Sequence, residues 1–282
     1  MISGRTALYG VMGHPVAHSL SPAMHNAAFA AAGLDAAYLP LPVEPERLFA
    51  AVRGAHAMGF QGLNVTVPHK RRAAEIALGL DPVARVTGAV NTLRRVPDGY
   101  EGFNTDAPAT LALLEAAGLR PGMRALVVGT GGAARAGAWA LLKAGAALRV
   151  AGRRPAAAAE LCRALAEAFP GARAGPVALE EAAAEAERCE VVVNATTVGL
   201  PGPAADRALP AFRFRRGQVA VDYVYGDTAF ARAAAAAGAA LVTGEQILVR
   251  QGALAFSLWT GRPAPEAAMT AALRAAASGG HR

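Results

Sequence analysis

The chain has 282 residues, enough for two domains of roughly 100–200 residues each with its own buried core. Hydrophobic residues make up 54% and charged residues 17%, which excludes a disordered or collagen-like chain, and the two cysteines, Cys162 and Cys189, sit in no CxxC or Cys/His cluster, which excludes a disulfide framework and a zinc site. The net charge of +7 comes from arginines scattered along the chain, and the first residues show no apolar core followed by a small-residue cleavage site, nor does a run of about 18 apolar residues occur later, so an unprocessed cytoplasmic protein with no nucleic-acid and no membrane partner is expected.

Residues 8–12 read as a buried strand, 21–32 as a helix opened by Ser21 with Pro22 at its first position, and 37–43 as the next strand. A helix over 46–57, a strand over 62–67 stopped by Pro68 and a helix over 69–78 follow. Strands over 89–96 and 100–103 flank Pro97-Asp98-Gly99, a tight hairpin turn. From there the pattern is helix 105–117, strand 124–128, a glycine-rich turn, a helix, strand 148–151, helix 156–169, strand 191–194, and two further segments at 219–222 and 228–238. Strands alternating with helices predict parallel sheets covered on both faces. The closing stretches, 245–260 and 266–277, are helical with no strand to follow, so they are expected to pack back on the first unit. Two α/β units with a boundary near Asn104 result.

Only Lys70 and Lys143 are lysines, so 28 − 2 = 26 of the basic residues are arginine. A lysine retained beside Arg71 and Arg72 asks for a reason, because Lys can give up a proton near neutral pH in a suitable site and Arg cannot. Lys143 fits a solvated helix end. Four of the five asparagines, Asn64, Asn91, Asn104 and Asn194, interrupt apolar strands, which suggests specific hydrogen-bonding duties.

The run Gly129-Thr130-Gly131-Gly132-Ala133-Ala134 follows a strand and opens a helix, where backbone amides can approach a pyrophosphate. At the end of the next strand an NAD enzyme usually presents a carboxylate to the ribose. Here Gly152-Arg153-Arg154 offers two guanidinium groups suited to a 2′-phosphate, which favours NADP(H), against the plainer reading of two solvated loop arginines. In the first unit Ser19 and Ser21 present hydroxyls at a helix start, where a carboxylate can bind, although Ser21 could serve only as an N-cap. The segment from Asn64 to Lys70 puts Asn64, Thr66 and Pro68 on one side of an extended stretch and delivers Lys70 beyond it. Asn91 and Asp106 add an amide and a carboxylate. Together these groups suit a small polyhydroxylated acid.

In their order along the chain, these segments, with those at 194–199, 222–225 and 251–256, resemble the shikimate dehydrogenase family from Tyr9 to Gly261. The resemblance implies an α/β fold of two domains around a central cleft. An N-terminal α/β substrate domain (1–103 plus 245–282) would stand beside a Rossmann-like NADP-binding domain (104–244). The implied activity is reversible, NADP-dependent reduction of 3-dehydroshikimate to shikimate, on the route to chorismate and aromatic amino acids, by a monomer or a homodimer with no partner beyond its small-molecule substrate. By the same resemblance Lys70 is the catalytic acid/base and Asp106 its partner. Ser19, Ser21 and Tyr225 would take the substrate carboxylate, and Asn64, Thr66, Asn91, Asp106 and Gln251 the ring hydroxyls. Gly129, Thr130, Gly131, Gly132, Ala133, Arg153 and Arg154 would bind the adenosine and phosphates, with Thr196, Thr197, Val198, Tyr223 and Gly244 along the cofactor toward the nicotinamide. No metal is implied.

The chain departs from the family pattern at Gly226-Asp227, where Asn-Pro is common, at Glu245-Gln246, where Leu-Gly is usual, and at Gly152 and Arg154 around the retained Arg153. Alternative readings are a quinate/shikimate dehydrogenase with looser substrate and cofactor choice, which tends to carry an acidic residue after the second cofactor strand, and a non-catalytic NADP-binding sensor, which would lack Lys70 or Asp106.

Overall fold

The computed structural model describes residues 2–199 and 209–279. The chain divides into two compact units, Met1–Thr105 with Leu248–Arg282, and Asp106–Ile247. Among the described residues no helix is long and apolar enough to cross a membrane.

The first unit begins β1 (Ala7–Gly13), α1 (Ser21–Ala31), β2 (Ala36–Pro42), α2 (Leu48–Ala57), β3 (Phe60–Val65), α3 (Lys70–Ile76), β4 (Gly79–Leu80), α4 (Pro82–Thr87), β5 (Thr92–Val96) and β6 (Gly99–Phe103). Its sheet is ordered β2-β1-β3-β5-β6-β4. β1, β2 and β3 are parallel, whereas β5 runs antiparallel to both β3 and β6, and Val96 pairs with Gly99 across the expected Pro97-Asp98 turn. One face packs Met12, Leu48, Val52, Phe60, Leu63 and Leu93 into a core. The expected helix over 69–78 is cut short at Ile76, and β4 and α4 appear where none was read. A two-residue strand has no periodicity to detect. α4 did carry a signal: the Asp81 carboxylate accepts the Ala84 N–H at 2.7 Å, and Gly88 closes the helix at φ 59°.

The second unit runs α5 (Asp106–Ala116), β7 (Arg124–Val128), α6 (Gly132–Lys143), β8 (Ala147–Ala151), α7 (Pro155–Ala168), β9 (Ala174–Val177), α8 (Ala182–Arg188), β10 (Val191–Asn194), β11 (Val219–Asp222), α9 (Ala229–Ala236) and β12 (Ala240–Val242). All its strand pairs are parallel, in the order β9-β8-β7-β10-β11-β12. Counted from β7, this is the doubly wound order 3-2-1-4-5-6, whose direction reverses between β7 and β10. The central strands are apolar except at their ends, where Arg124, Asn194 and Asp222 stand, because both faces are covered, and β10 is buried along its whole length. β9, β12 and α8 had not been foreseen. β9 and β12 are the sheet's edges, one interrupted by Gly175-Pro176 and the other three residues long, and edge strands bury too little to impose a pattern.

Two closing helices, α10 (Gly244–Thr260) and α11 (Glu266–Gly279), return most of their length to the first unit. The Trp259 indole lies on β3 where a Cβ at Gly62 would strike it, and its Nε1–H donates to the Leu93 carbonyl at 3.0 Å. Gly252 gives Met24 of α1 and Met269 of α11 the same kind of close approach.

Candidate active site

In the first unit the candidate substrate residues gather at the carboxyl end of β3 and around it. The Asn64 side chain is buried and fully oriented: its Oδ1 accepts the Tyr38 hydroxyl at 2.6 Å, and its Nδ2 donates to the Asn91 carbonyl and to Thr92 Oγ1, both at 3.1 Å. Both amide hydrogens are thereby spent, so what Asn64 can offer a ligand is its oxygen. Asn91 is held as tightly. Its Oδ1 accepts the Thr105 N–H at 2.7 Å, and its Nδ2 donates to Gln251 Oε1 at 3.2 Å, which ties α10 to the sheet. Gln251 in turn donates to the Leu248 carbonyl at 2.8 Å. Asn104 serves the backbone, donating to Thr87 Oγ1 and to the Ala89 carbonyl.

Thr66 follows β3 and packs its methyl against Gly13, where a Cβ would stand 2.4 Å from it. Lys70 opens α3 and is half-buried, and its carbonyl accepts the Val90 N–H at 2.8 Å. The preceding His69 is buried and bonded through Nε2 to the Val43 carbonyl at 2.7 Å, which pins the start of α3 to the chain beyond β2. Burial is the main cause that pushes the His69 imidazole below its ordinary pKa, so it is neutral at pH 7.

The reading of Ser21 as an N-cap is corrected. Ser21 is the first helical residue, Leu20 occupies the cap without a side-chain bond, and it is Ser19 whose Oγ accepts the Ser21 N–H at 3.3 Å. The Pro22 ring has no N–H to cap, so the serine on the outer side of Leu20 takes the one amide within reach.

In the second unit the candidate cofactor residues lie at the carboxyl edge of the parallel sheet. Gly129 has φ 126° and would bring a Cβ within 2.7 Å of the Ala195 carbonyl oxygen, so the turn after β7 presses directly on the turn after β10 at the point of reversal. Gly131 precedes α6 with no side-chain cap, and Gly132 and Ala133 form its first turn, leaving backbone amides directed outward beside Thr130. Thr130 packs on Gly152, and the next two residues, Arg153 and Arg154, are exposed. Thr196, Thr197 and Val198 follow β10. Asn194 Oδ1 accepts the Thr196 N–H and hydroxyl, and Asn194 Nδ2 donates to Asp222 Oδ1 at 2.9 Å. Asp222 also accepts the Val224 N–H and the Thr228 hydroxyl, so one carboxylate laces together the turns after β10 and β11. Burial raises its pKa.

Tyr223 turns its side chain inward. Its hydroxyl is 2.6 Å from Thr110 Oγ1 of α5, which leaves its ring and backbone for any ligand, and burial raises its pKa. Gly244 abuts the carbonyls of Tyr223 and Val224, at 2.9 Å from a would-be Cβ. Tyr225 is half-buried, and its phenol is pushed up to about 12, first by burial and then by the Asp106 and Glu245 carboxylates. Asp106 itself is buried at the start of α5.

Tyr38, Thr92, Thr105 and Thr110 carry bonds that sequence reasoning did not assign, and no local pattern marks them, because apart from the bond of Thr92 to the adjacent Asn91 their partners here lie twelve or more residues away. Gln246 is different. Thr243 and Gln246 bond reciprocally, Thr243 N–H to Gln246 Oε1 at 2.9 Å and Gln246 N–H to Thr243 Oγ1 at 3.4 Å, a capping box legible as Thr-x-x-Gln before α10.

A doubly wound sheet with a glycine turn and an arginine pair, joined to a second α/β unit rich in buried amides and hydroxyls, defines a dinucleotide-dependent enzyme class. Residues 11–93 match the shikimate dehydrogenase substrate binding domain, and residues 244–274 match the shikimate 5'-dehydrogenase C-terminal domain. The chain is 67% identical over 275 residues, 98% of either chain, to the shikimate dehydrogenase (NADP(+)) of Anaeromyxobacter dehalogenans. The structure of shikimate 5-dehydrogenase from Thermus thermophilus in complex with NADP(H) and shikimate is 42% identical with a TM-score of 0.80, covering 96% of this chain and 99% of that one. Quinate dehydrogenase from Corynebacterium glutamicum in complex with NAD shares the fold at TM-score 0.84 but only 26% identity, over 96% of this chain and 99% of its own. The chain belongs to the shikimate dehydrogenase family.

Proposed function

We propose that the chain is an NADP-dependent shikimate dehydrogenase that interconverts 3-dehydroshikimate and shikimate, acting in the cytoplasm as a monomer or a homodimer. What carries the reading is the near-full-length relationship to NADP(+) shikimate dehydrogenases. The first unit binds the substrate and the second the cofactor. The second unit fits a phosphorylated dinucleotide by its own chemistry: a glycine turn pressed against the turn after β10 at the point of reversal, uncapped amides at α6, and two exposed guanidinium groups with no carboxylate between Gly152 and Ala159. Gly129, Thr130, Gly131, Gly132 and Ala133 would hold the pyrophosphate and Arg153 with Arg154 the 2′-phosphate, while Thr196, Thr197, Val198, Tyr223 and Gly244 would line the path to the nicotinamide. When bound, the cofactor supplies or accepts the hydride exchanged at the substrate's C3 carbon.

Lys70 delivers the proton to the C3 oxygen in reduction and removes it in oxidation, and Asp106 orients the ammonium and a ring hydroxyl. Ser19, Ser21 and Tyr225 donate to the carboxylate. Asn64 accepts from a ring hydroxyl through its Oδ1, since its hydrogens are committed elsewhere. Thr66 and Gln251 complete that shell, and Asn91 acts by fixing Gln251. Initial rates with shikimate and quinate, each against NADP⁺ and NAD⁺, test the reading. Turnover of shikimate with NADP⁺ is expected to exceed the other three combinations. Preference for quinate or for NAD⁺ would replace it with the quinate/shikimate alternative.

A further inference from the structure

Two of the three departures from the family pattern, those at Gly226-Asp227 and at Glu245-Gln246, are in contact with each other. Glu245, in the first turn of α10, accepts the Gly226 N–H through Oε1 at 2.7 Å. Gly226 is held at φ 85°, a left-handed conformation that carries the chain sharply away from Tyr225. The rest of this turn is fastened further along. Val224 N–H and Thr228 Oγ1 donate to Asp222, Thr228 N–H donates to the Gly226 carbonyl, and Arg232 bonds the Asp227 side chain at 2.7 Å. On the side of α10, Gly244 lies flush against the carbonyls of Tyr223 and Val224, and Gln246 is committed to the capping box. Among the described residues, the Glu245 bond is therefore the side-chain tie from α10 to the residue next to Tyr225.

We infer that Glu245 is a positioning residue for Tyr225: by clasping the Gly226 amide it fixes the turn that presents the Tyr225 hydroxyl to the substrate carboxylate. The inference rests on the function proposed above for Tyr225. Glu245 touches no reacting atom. Its carboxylate also lies close enough to Tyr225 to favour the protonated phenol, the form able to donate to an anion.

The test is a set of variants of the full-length enzyme, Glu245→Ala, Glu245→Gln, Tyr225→Phe and the Ala/Phe double variant, with two readouts. Amide exchange at Gly226 reads the clasp without any substrate. Exchange is expected to be about tenfold faster or more in Glu245→Ala and close to the parent in Glu245→Gln, which keeps an oxygen acceptor. In shikimate oxidation, Glu245→Ala is expected to raise KM for shikimate by about three- to tenfold with a smaller change in kcat, the size of one charge-assisted bond partly open to water. Glu245→Gln is expected to recover most of that loss. In the Tyr225→Phe background the same Ala substitution is expected to change KM by less than about twofold, because the hydroxyl it positions is gone. Unchanged Gly226 exchange in Glu245→Ala would remove the clasp, and an equal KM penalty in both backgrounds would remove its action through Tyr225. A parent enzyme that does not oxidise shikimate would overturn the proposed function and the role of Tyr225 with it, while Gly226 exchange would still decide whether the clasp exists.

Discussion

At the scale of single residues, Lys70 and Arg153 carry the sharpest consequences. Lys70 stands beside two arginines in an arginine-rich chain, so charge alone does not call for a lysine there, and the proposed function gives it the proton transfer. Lys70→Ala is expected to lower kcat for shikimate oxidation by a factor on the order of 10²–10⁴ with little change in NADP⁺ affinity, and Lys70→Arg is expected to stay low, since Arg keeps the charge without a usable proton. Steady-state kinetics of the two variants decide this, and an active Arg variant would end the acid/base assignment. Arg153 is exposed at the end of β8, where the 2′-phosphate distinguishes NADP from NAD. A charge-assisted pair is worth roughly 1.5–3 kcal/mol, so Arg153→Ala is expected to cut kcat/KM for NADP⁺ by about one to two orders of magnitude and to leave NAD⁺ use nearly unchanged. Parallel titrations of the two cofactors measure it.

At the scale of elements, α10 shows how local capping and distant tertiary contacts share one helix. Its first turn holds the Thr243–Gln246 box and the Glu245 clasp, and its later turns bring Gln251 to Asn91 and Trp259 to Leu93. Thr243→Ala removes the acceptor for the Gln246 N–H and is expected to cost about 0.5–2 kcal/mol, read as a lower midpoint in urea unfolding with an unchanged slope. The box was written in the sequence as Thr-x-x-Gln. By contrast, the bond from Gln251 to Asn91 spans 160 residues and leaves no local trace.

At the scale of the whole molecule, a buried imidazole sets how the protein responds to acid. His25 is fully buried, stacked on Tyr38 at 4.4 Å between ring centroids and flanked by Trp259, and among the described residues neither ring nitrogen makes a well-formed hydrogen bond, the Asn64 side chain being its polar neighbour. Burial pushes it down to about 3, with the neighbouring Asn64 side chain partly opposing. The unfolded chain therefore takes up a proton near pH 6.5 that the folded chain refuses until about pH 3. This contribution to stability is complete above pH 6.5 and is lost as pH falls toward 3, with a slope approaching about 1.4 kcal/mol per pH unit. His25→Phe keeps an aromatic ring on Tyr38 and removes the titration. Denaturant unfolding at pH 7 and pH 5 is expected to show a smaller loss of stability in the variant than in the parent, and equal losses would contradict the assignment.

The sequence by itself determined what local chemistry can write. Alternation of strands and helices, the glycine turn after β7, the hairpin at Pro97-Asp98-Gly99, the lysine set beside two arginines and the arginine pair after β8 are all set by residues close together in the chain, where periodicity, turn geometry and charge act directly. Tertiary structure alone decided the rest. The edge strands β9 and β12 exist because a neighbour supplies their bonds, and Ser19 rather than Ser21 accepts the helix-start amide because Leu20 takes the cap. Asn64 presents an oxygen because Tyr38 and Thr92, far from it in sequence, consume its other bonds, and Glu245 finds Gly226 because α10 abuts the turn after β11. A buried polar group must be satisfied, and which partner satisfies it is settled only when packing brings distant segments within hydrogen-bond reach.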